Sequence, residues 1–238
     1  MTLKLFLDQW REKPRTRKNY KSVLSKIYQV AIDEGFIQEN IVKKIALPKS
    51  HKINKNFKAW TLEHIDQFVA TADDMGLPNV GTAVIIAWES FRQTDVFDLQ
   101  EPRDYRNGGF IFETSKTGEL VSILASPKTK RRLSLRPKTQ LLLTVNDLTG
   151  MKWTKNSFRN KFDQVRDKAN MHGYVFRKIR NSAAIYALKA GLTDAEFQQR
   201  FGWSKATVEE MKLRYSDIDQ EIIDSGAEKL RAYQEQNP

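Results

Sequence analysis

Apolar residues recur at helical spacing near the start of the chain. In residues 16–34 one amphipathic helix is predicted, with a basic outer face and an apolar stripe made of Tyr20, Val23, Leu24, Ile27, Val30 and Ala31. Thr16 is its expected N-cap and Gly35 its expected stop. Residues 47–59 are polar and basic, contain a proline and lack periodicity, so they predict an exposed linker and a domain boundary.

Beyond this linker, helical patterns are interrupted once by strand-like ones. Residues 60–68 predict a helix capped by Thr61, and residues 81–91 are apolar on nearly every side, which predicts a buried helix. Residues 108–126 contain two apolar runs around a polar turn at 115–118, and this pattern is typical of a β-hairpin. Residues 131–135, RRLSL, offer a third strand.

Helical patterns return after the predicted sheet and continue to the end. Residues 154–169 carry a stripe of Phe158, Phe162 and Val165, and residues 177–191 end at a glycine. A capping box from Thr193 to Glu196 begins a further helix, and residues 204–216 supply another. The predicted fold is therefore mainly α (α+β), with one small three-stranded antiparallel sheet.

Composition removes several classes of protein. The 238 residues are 40% hydrophobic and 29% charged, which is typical of a globular chain with one large domain or two modest ones. Without any cysteine, disulfides and cysteine-bearing zinc sites are excluded, and three scattered histidines do not predict a metal site. We expect neither a membrane span nor a secretory leader, and so a cytoplasmic protein.

The net charge of +11 is concentrated near the amino end. Residues 1–58 contain 14 basic and 5 acidic side chains, a net charge of +9, so a polyanion is the expected partner. Polar and aromatic residues among these charges favour nucleic acid over a lipid surface. The candidate DNA contacts are Arg15, Arg17, Lys18 and Lys21.

Three further arginines and a lysine lie where an anion could be bound. Arg92 follows the predicted buried helix, and Arg177 and Arg180 open a later one. A guanidinium near a domain interior is costly unless it meets an anion, but each arginine taken alone favours an ordinary ion pair or a surface position. Only convergence of these arginines on one site would indicate a function. Lys116, at the hairpin tip, is either a solvated turn residue or a mobile proton donor.

An aromatic residue near the carboxyl end has two interpretations. Tyr215 shares a helical stripe with Val208 and Met211, so its spacing favours a core residue over a nucleophile. No glycine-rich phosphate loop, HExxH or GxSxG motif occurs in the sequence. A metal-dependent nuclease, a kinase and a serine hydrolase therefore lack their usual motifs.

The order of these elements resembles that of the tyrosine recombinases, the phage-integrase family of DNA strand-exchange enzymes. The similarity extends over about residues 16–220 and rests on order and spacing more than on any single motif. The matching positions are Arg92 with Asp95 and Leu99, Lys116 in the hairpin, Ile179 with Arg180, the turn Phe201, Gly202 and Trp203, and Tyr215.

This resemblance implies a function and a division into domains. Residues 1–55 would form a partial, truncated or reduced, helical core-binding domain that contacts DNA, and residues 56–238 the catalytic domain. The implied activity is site-specific cutting and rejoining of double-stranded DNA through a 3′-phosphotyrosyl intermediate, without metal or cofactor. The implied catalytic residues are Arg92, Lys116, Arg177, Arg180, Trp203 and Tyr215. The resemblance also implies a monomer in free solution, a tetramer on DNA, and a bacterial or phage-infected host cell.

Three positions depart from the family pattern and leave an alternative open. Arg177 stands where the family most often has histidine, and Asn181 stands where it commonly has histidine or lysine. Trp203 and Tyr215 are twelve residues apart, where nine is usual. The alternatives are a catalytically weak or inactive DNA-binding protein of the same fold and, more remotely, an unrelated basic helical module that binds nucleic acid.

Overall fold

A computed structural model describes residues 2–47, 58–115 and 118–216, and for residues 213–216 it describes the backbone alone. The chain divides into two compact units, residues 1–57 and residues 58–238. Among the described residues, none of the helices is both long and apolar enough to cross a membrane.

The first unit is helical. It contains α1 (Leu3–Asp8), α2 (Pro14–Asp33) and a 3-10 helix (Ile41–Lys44). Helix α2 begins three residues earlier than predicted, because Lys13 rather than Thr16 is its N-cap. The reason is Pro14, whose fixed φ and missing N–H suit the first position of a helix. Gly35, with φ of 75°, follows the end of the helix as predicted.

The charged and apolar sides of α2 differ from their predicted arrangement. Arg17 is buried and pairs with Asp8, so it is not part of the exposed basic face expected from the sequence. Arg15 and Lys18 are exposed, and Lys21 is half-buried. Apolar side chains of the predicted stripe are exposed too, and the most exposed are Val23, Ile27 and Val30, at 54%, 57% and 59%.

The second unit contains eight α-helices and three strands among its described residues. In chain order they are α3 (Leu62–Asp74), α4 (Pro78–Trp88), α5 (Gln93–Asp98), β1 (Tyr105–Arg106), β2 (Gly109–Glu113), β3 (Leu120–Leu124), α6 (Pro127–Ser134), α7 (Lys155–Lys168), α8 (Ile179–Lys189), α9 (Asp194–Phe201) and α10 (Lys205–Ser216). A 3-10 helix (Phe176–Lys178) directly precedes α8. This mainly helical architecture with a small antiparallel sheet confirms the predicted fold class.

Helix α4 lies at the centre of the second unit. Every residue from 80 to 87 is buried, as its uniformly apolar sequence predicts, and the helix packs against α3 and α8. Burial of one large apolar side chain contributes about 1.5 to 3 kcal/mol, so this helix is a principal source of stability. It also fixes the place of the turn that follows it, residues 89–92.

The sheet has the strand order β1, β2, β3, with both pairs antiparallel. Phe110 faces Ile123 and Phe112 faces Val121, and all four side chains are buried on the same side. The predicted hairpin is thus confirmed.

The predicted third strand at residues 131–135 is wrong. Those residues lie at the end of helix α6, and the third strand is β1. The Ser126 hydroxyl accepts a hydrogen bond from the Thr129 N–H, and Pro127 occupies the first turn. These two signals begin a helix and outweigh the short alternating pattern of RRLSL.

Candidate active site

Two arginines distant in sequence meet where α4, α5, α8 and α9 converge. Arg92 is the N-cap of α5, just after the end of α4, and Arg180 is the second residue of α8. Their charges interact: burial first, and then the positive charge of Arg92, lower the pKa of Arg180 to about 9, while Asp95 raises it. The charged form of Arg180 is therefore costly at neutral pH, and an anion bound beside the two arginines would reduce that cost.

Arg180 is held by main-chain oxygens and aromatic rings. Its Nη1 donates to the carbonyl oxygen of Ser90, and its Nη2 donates to that of Phe201. Its Cζ lies 5.5 Å from the ring centre of Phe201 and 5.6 Å from that of Trp203. These contacts are attractive to a cation but carry no net charge, so Arg180 keeps its full positive charge while its geometry is fixed.

Ser90 has a backbone conformation that is unusual for a residue with a side chain. Its φ is 86°, it is buried, and its hydroxyl has no hydrogen-bond partner among the described residues. Strain of this kind costs about 1 to 3 kcal/mol and persists only where the surroundings impose it. Here the carbonyl of the same residue accepts from Arg180, so the strained turn presents one of that arginine's two main-chain partners.

Arg92 is held less completely. Its side chain is 21% exposed, and Nη1 lies 3.8 Å from Oδ2 of Asp95. The same Nη1 is buried and has no hydrogen-bond partner among the residues that the structure describes. Arg92 therefore retains donor capacity that an anion could use.

Asp95 joins Arg92 to the hairpin. Its carboxylate is buried, and Oδ2 accepts a hydrogen bond from the main-chain N–H of Arg92 at 3.3 Å. Through Oδ1 it accepts from the Ser115 hydroxyl at 2.6 Å and from the Ser115 N–H at 3.3 Å. One carboxylate thus links the first arginine to the base of the hairpin.

The turn from α9 to α10 packs against that hairpin base. Gly202 has φ of 54°, and a Cβ there would lie 3.0 Å from Cγ2 of Thr114 and 3.1 Å from Cγ2 of Val121. Only glycine fits this close approach without a shift. Trp203 follows it, with its ring 4.5 Å from that of Phe201, and so lies against the cation of Arg180.

Arg177 and Arg180 do not share one α-helix. Arg177 is exposed in the 3-10 helix before α8, whereas Arg180 is buried in α8 itself. Lys178, which lies between them in the sequence, is half-buried. The change of helix type at Ile179 separates two arginines that three-residue spacing alone would place together.

Two of the sequence-predicted residues fall at the limits of the described structure. Lys116 lies outside the described residues, between Ser115 and Gly118. Tyr215 lies within α10, but its side chain is outside what the structure describes. Of the six candidates, the structure therefore brings together Arg92, Arg180 and Trp203, and it leaves Arg177 exposed at the start of the same segment.

The charges of the assembled site define what it can bind. Two guanidiniums face one carboxylate, which leaves one net positive charge next to a buried interior. A singly charged anion with several acceptor oxygens, such as a phosphate diester, matches this arrangement. Among the described residues, no group of three or more histidine, aspartate or glutamate side chains is arranged to hold a metal ion.

Sequence reasoning missed two contributors to this site. Ser90 gives no signal, because a serine in a left-handed turn looks like any serine in a helix-ending segment. Ser115 appeared only as a polar residue of the hairpin turn. One sequence feature points to the contact between Ser115 and Asp95. Ser115 directly precedes the candidate Lys116, and Asp95 follows the candidate Arg92 by three residues.

Comparison with known proteins relates this arrangement to solved structures. No protein-family model matches the sequence, and no curated protein sequence matches it. A lambda integrase dimer bound to a COC′ core site matches with a TM-score of 0.69 and 19% identity, over 87% of this chain and 77% of that one. In a longer lambda integrase chain the match covers 62%, so this chain spans less than two thirds of that protein.

Two further structures match over nearly the whole chain. The Tn1549 transposon integrase in complex with circular intermediate DNA has a TM-score of 0.67 and 14% identity, over 95% of this chain and 83% of that one. The XerH site-specific recombinase bound to a palindromic difH substrate has a TM-score of 0.69 and 17% identity, over 94% of this chain and 70% of that one. At this level of identity the likeness concerns the fold, and the chain has the tyrosine recombinase (integrase) fold.

Proposed function

We propose that this protein cuts and rejoins double-stranded DNA at specific sites through a covalent 3′-phosphotyrosyl intermediate. The observation that carries the proposal is the convergence of Arg92 and Arg180 into one site with a net positive charge. In addition, the three solved structures compared above are bound to DNA. The resemblance of the sequence, which includes Tyr215 in the order expected of a nucleophile, supplies the chemistry.

In the proposed reaction the Tyr215 oxygen attacks the scissile phosphorus. A bond forms between the tyrosine oxygen and phosphorus, the bond to the 5′ oxygen breaks, and a 5′-hydroxyl leaves. Arg92 and Arg180 would bind the non-bridging oxygens and stabilise the extra negative charge of the transition state. A free tyrosine has a pKa of about 10, so the neighbouring cations would also favour its phenolate. The later attack of a 5′-hydroxyl on the phosphotyrosine rejoins DNA without an external energy source.

Two further residues complete the proposed chemistry. Lys116 would donate the proton that the leaving 5′ oxygen needs, since an ammonium on a flexible stem suits a general acid. Trp203 would offer its indole N–H to the phosphate while its ring rests against Arg180. Trp203 would thus both bind the phosphate and hold Arg180 in place.

The protein would also contact DNA away from the cut phosphate, through residues of the first unit. In the first unit Arg15 and Lys18 are exposed and Lys21 is half-buried, so these three remain the proposed contacts of residues 1–55. Arg17 is paired with Asp8 and would reach DNA only if that pair opened. Recombination needs two duplexes cut by paired sites, so we propose a monomer in free solution and a tetramer on DNA, in the cytoplasm of a bacterium or a phage-infected host.

A covalent adduct tests this proposal. A pool of random-sequence duplexes is first enriched for binding, and the enriched duplex is then made with a nick beside the presumed cut, so that the released fragment diffuses away and the adduct accumulates. We expect a protein–DNA band that survives denaturation, and we expect Tyr215→Phe to bind the same duplex without forming it. Binding without any adduct would instead identify a DNA-binding protein of the same fold.

The position of Arg177 gives that second candidate its specific support. Arg177 is exposed where the resembling family most often has histidine, and a guanidinium has only donor N–H groups near neutrality, so it cannot act as a base. We therefore predict that Arg177→His raises the rate of adduct formation several-fold, and Arg177→Lys, the matched control, does not. An unchanged or lower rate in Arg177→His would show that this position does not limit proton transfer.

A further inference from the structure

The base of the β2–β3 hairpin is anchored by one buried carboxylate. Asp95 Oδ1 accepts from the Ser115 hydroxyl at 2.6 Å and from the Ser115 N–H at 3.3 Å. The hydroxyl of Thr94 lies 3.2 Å from the same Ser115 oxygen. Ser115 therefore contacts the first turn of α5, about twenty residues earlier in the chain.

The opposite side of the hairpin base is also fixed. The Thr114 N–H donates to the Glu119 carbonyl at 2.9 Å, and the Gly118 N–H donates to the Thr114 carbonyl at 2.9 Å. Gly202 approaches Thr114 and Val121 so closely that a Cβ at that position would crowd both. The chain entering the hairpin tip is thus confined between α5 on one side and the turn before Trp203 on the other.

The anchoring carboxylate also contacts the first arginine. Asp95 Oδ2 accepts a hydrogen bond from the main-chain N–H of Arg92 at 3.3 Å and lies 3.8 Å from Nη1 of its guanidinium. The side chain of Asp95 is 1% exposed. The 2.6 Å bond to Ser115 is the shorter contact. The buried carboxylate of Asp95 therefore connects the base of the hairpin directly to Arg92, the first arginine of the site.

We propose that Ser115 is a positioning residue for proton donation to the leaving group. Held by Asp95, Ser115 sets where the chain enters the hairpin tip relative to Arg92 and Arg180, and Lys116 is the next residue in sequence. This inference rests on the proposed function and assigns no contact between Ser115 and DNA. Loss of its hydroxyl would leave phosphate binding intact and would slow only the step that needs a proton.

The chemistry of the leaving group separates this role from a merely structural one. With ordinary DNA the departing 5′ oxygen must be protonated. With a 5′-bridging phosphorothiolate, sulfur replaces that oxygen and departs as a thiolate, because a thiol has a pKa of about 8.5 and needs no acid near neutrality. A defect in proton donation disappears on the sulfur substrate, whereas a defect in folding or phosphate binding persists on both.

The experiment compares single-turnover cleavage of the two substrates by full-length protein. We expect Ser115→Ala to cleave the oxygen substrate about 10- to 100-fold more slowly than the wild type, as part of the usual general-acid contribution is lost. On the sulfur substrate we expect a rate within about 2-fold of the wild type. Ser115→Thr, which restores a hydroxyl, should recover most of the loss. Ser122→Ala, at an exposed serine of the same hairpin, should cleave both substrates normally.

The outcomes keep this inference separate from the proposed function. Equal slowing on both substrates, or no slowing on either, would overturn the positioning role. The ratio of the two rates is measured within each variant, so a partial loss of folded protein cancels. If the wild type forms no Tyr215-dependent adduct with either substrate, the proposed function itself fails, and the positioning role falls with it.

Discussion

The two arginines of the site are held in opposite ways. Arg180 is buried, donates to two main-chain carbonyl oxygens and lies against two aromatic rings. Arg92 is 21% exposed, lies 3.8 Å from one carboxylate, and keeps a buried Nη1 without a hydrogen bond among the described residues. Arg180 therefore ties parts of the fold together, whereas Arg92 keeps its donors available.

This difference indicates how one site can be both rigid and receptive. Carbonyl oxygens and rings fix a guanidinium without cancelling its charge, and a single carboxylate shared between Arg92 and Ser115 cancels only one of two positive charges. The remaining charge is available to a phosphate diester. The same substitution made at Arg92 and at Arg180 should therefore have different effects.

The largest expected effect is on catalysis, at Arg92. We predict that Arg92→Ala slows adduct formation about 100- to 1,000-fold, the usual loss on removing one donor to a developing oxyanion. Its free energy of unfolding should change by less than about 1 kcal/mol, since little of the fold depends on this side chain. The measurements are single-turnover cleavage and urea unfolding.

A neutral substrate sharpens this prediction. Replacing one non-bridging oxygen of the scissile phosphate by a methyl group removes the charge that Arg92 would neutralise, so Arg92→Ala should recover much of its activity on that methylphosphonate. Arg106→Ala, at an exposed arginine of β1, is the matched control and should behave as the wild type. Equal loss on charged and neutral substrates would show that Arg92 does not act on the phosphate charge.

The next effect is on stability, at Arg180. We predict that Arg180→Ala lowers the free energy of unfolding by about 2 to 4 kcal/mol, because the buried carbonyls of Ser90 and Phe201 both lose their donor. Arg180→Lys should recover only part of this, since a single ammonium lacks the planar fork that reaches two acceptors. Urea unfolding measures both variants. Wild-type stability in Arg180→Ala would contradict the difference drawn between the two arginines.

A smaller effect is expected at the strained turn beside Arg180. Ser90→Gly should raise the free energy of unfolding by about 1 kcal/mol, because glycine adopts a φ of 86° without strain and removes a buried hydroxyl that lacks a described partner. Ser90→Ala removes the same hydroxyl but keeps a Cβ, so it should gain less. Thermal unfolding of Ser90→Gly and Ser90→Ala measures this difference. If the glycine variant is less stable than the alanine variant, the backbone of Ser90 is not strained.

Local signals in the sequence predicted most of the fold. Thr61 and Thr193 cap the helices predicted for them, and the hairpin appears where alternating apolar residues flank a polar turn. The errors share one cause, the competition between short patterns and stronger neighbouring signals. Pro14 begins α2 before Thr16 can cap it, and Ser126 with Pro127 turns a strand-like segment into helix α6.

The site was less predictable than the fold because it depends on contacts between distant residues. The resemblance implies that Arg92 and Arg180 share one site, and the hydrogen bond from Arg180 to the Ser90 carbonyl, two residues before Arg92, supports their proximity. Nothing in the sequence reveals that Ser90 would turn its carbonyl toward Arg180. The burial of Arg17 against Asp8 likewise depends on how α1 and α2 pack, which charge counting along the chain does not capture.

Peptide mass spectrometry of the protein–DNA adduct would show directly whether Tyr215 is the nucleophile. After nuclease and trypsin treatment of the wild-type adduct, we predict that residues 215–229 carry a nucleotide linked by phosphate to the Tyr215 oxygen. The DNA end released by the cut should bear a free 5′-hydroxyl. A nucleotide on any other residue, or an unmodified 215–229 peptide from protein that binds the enriched duplex, would contradict the proposed chemistry.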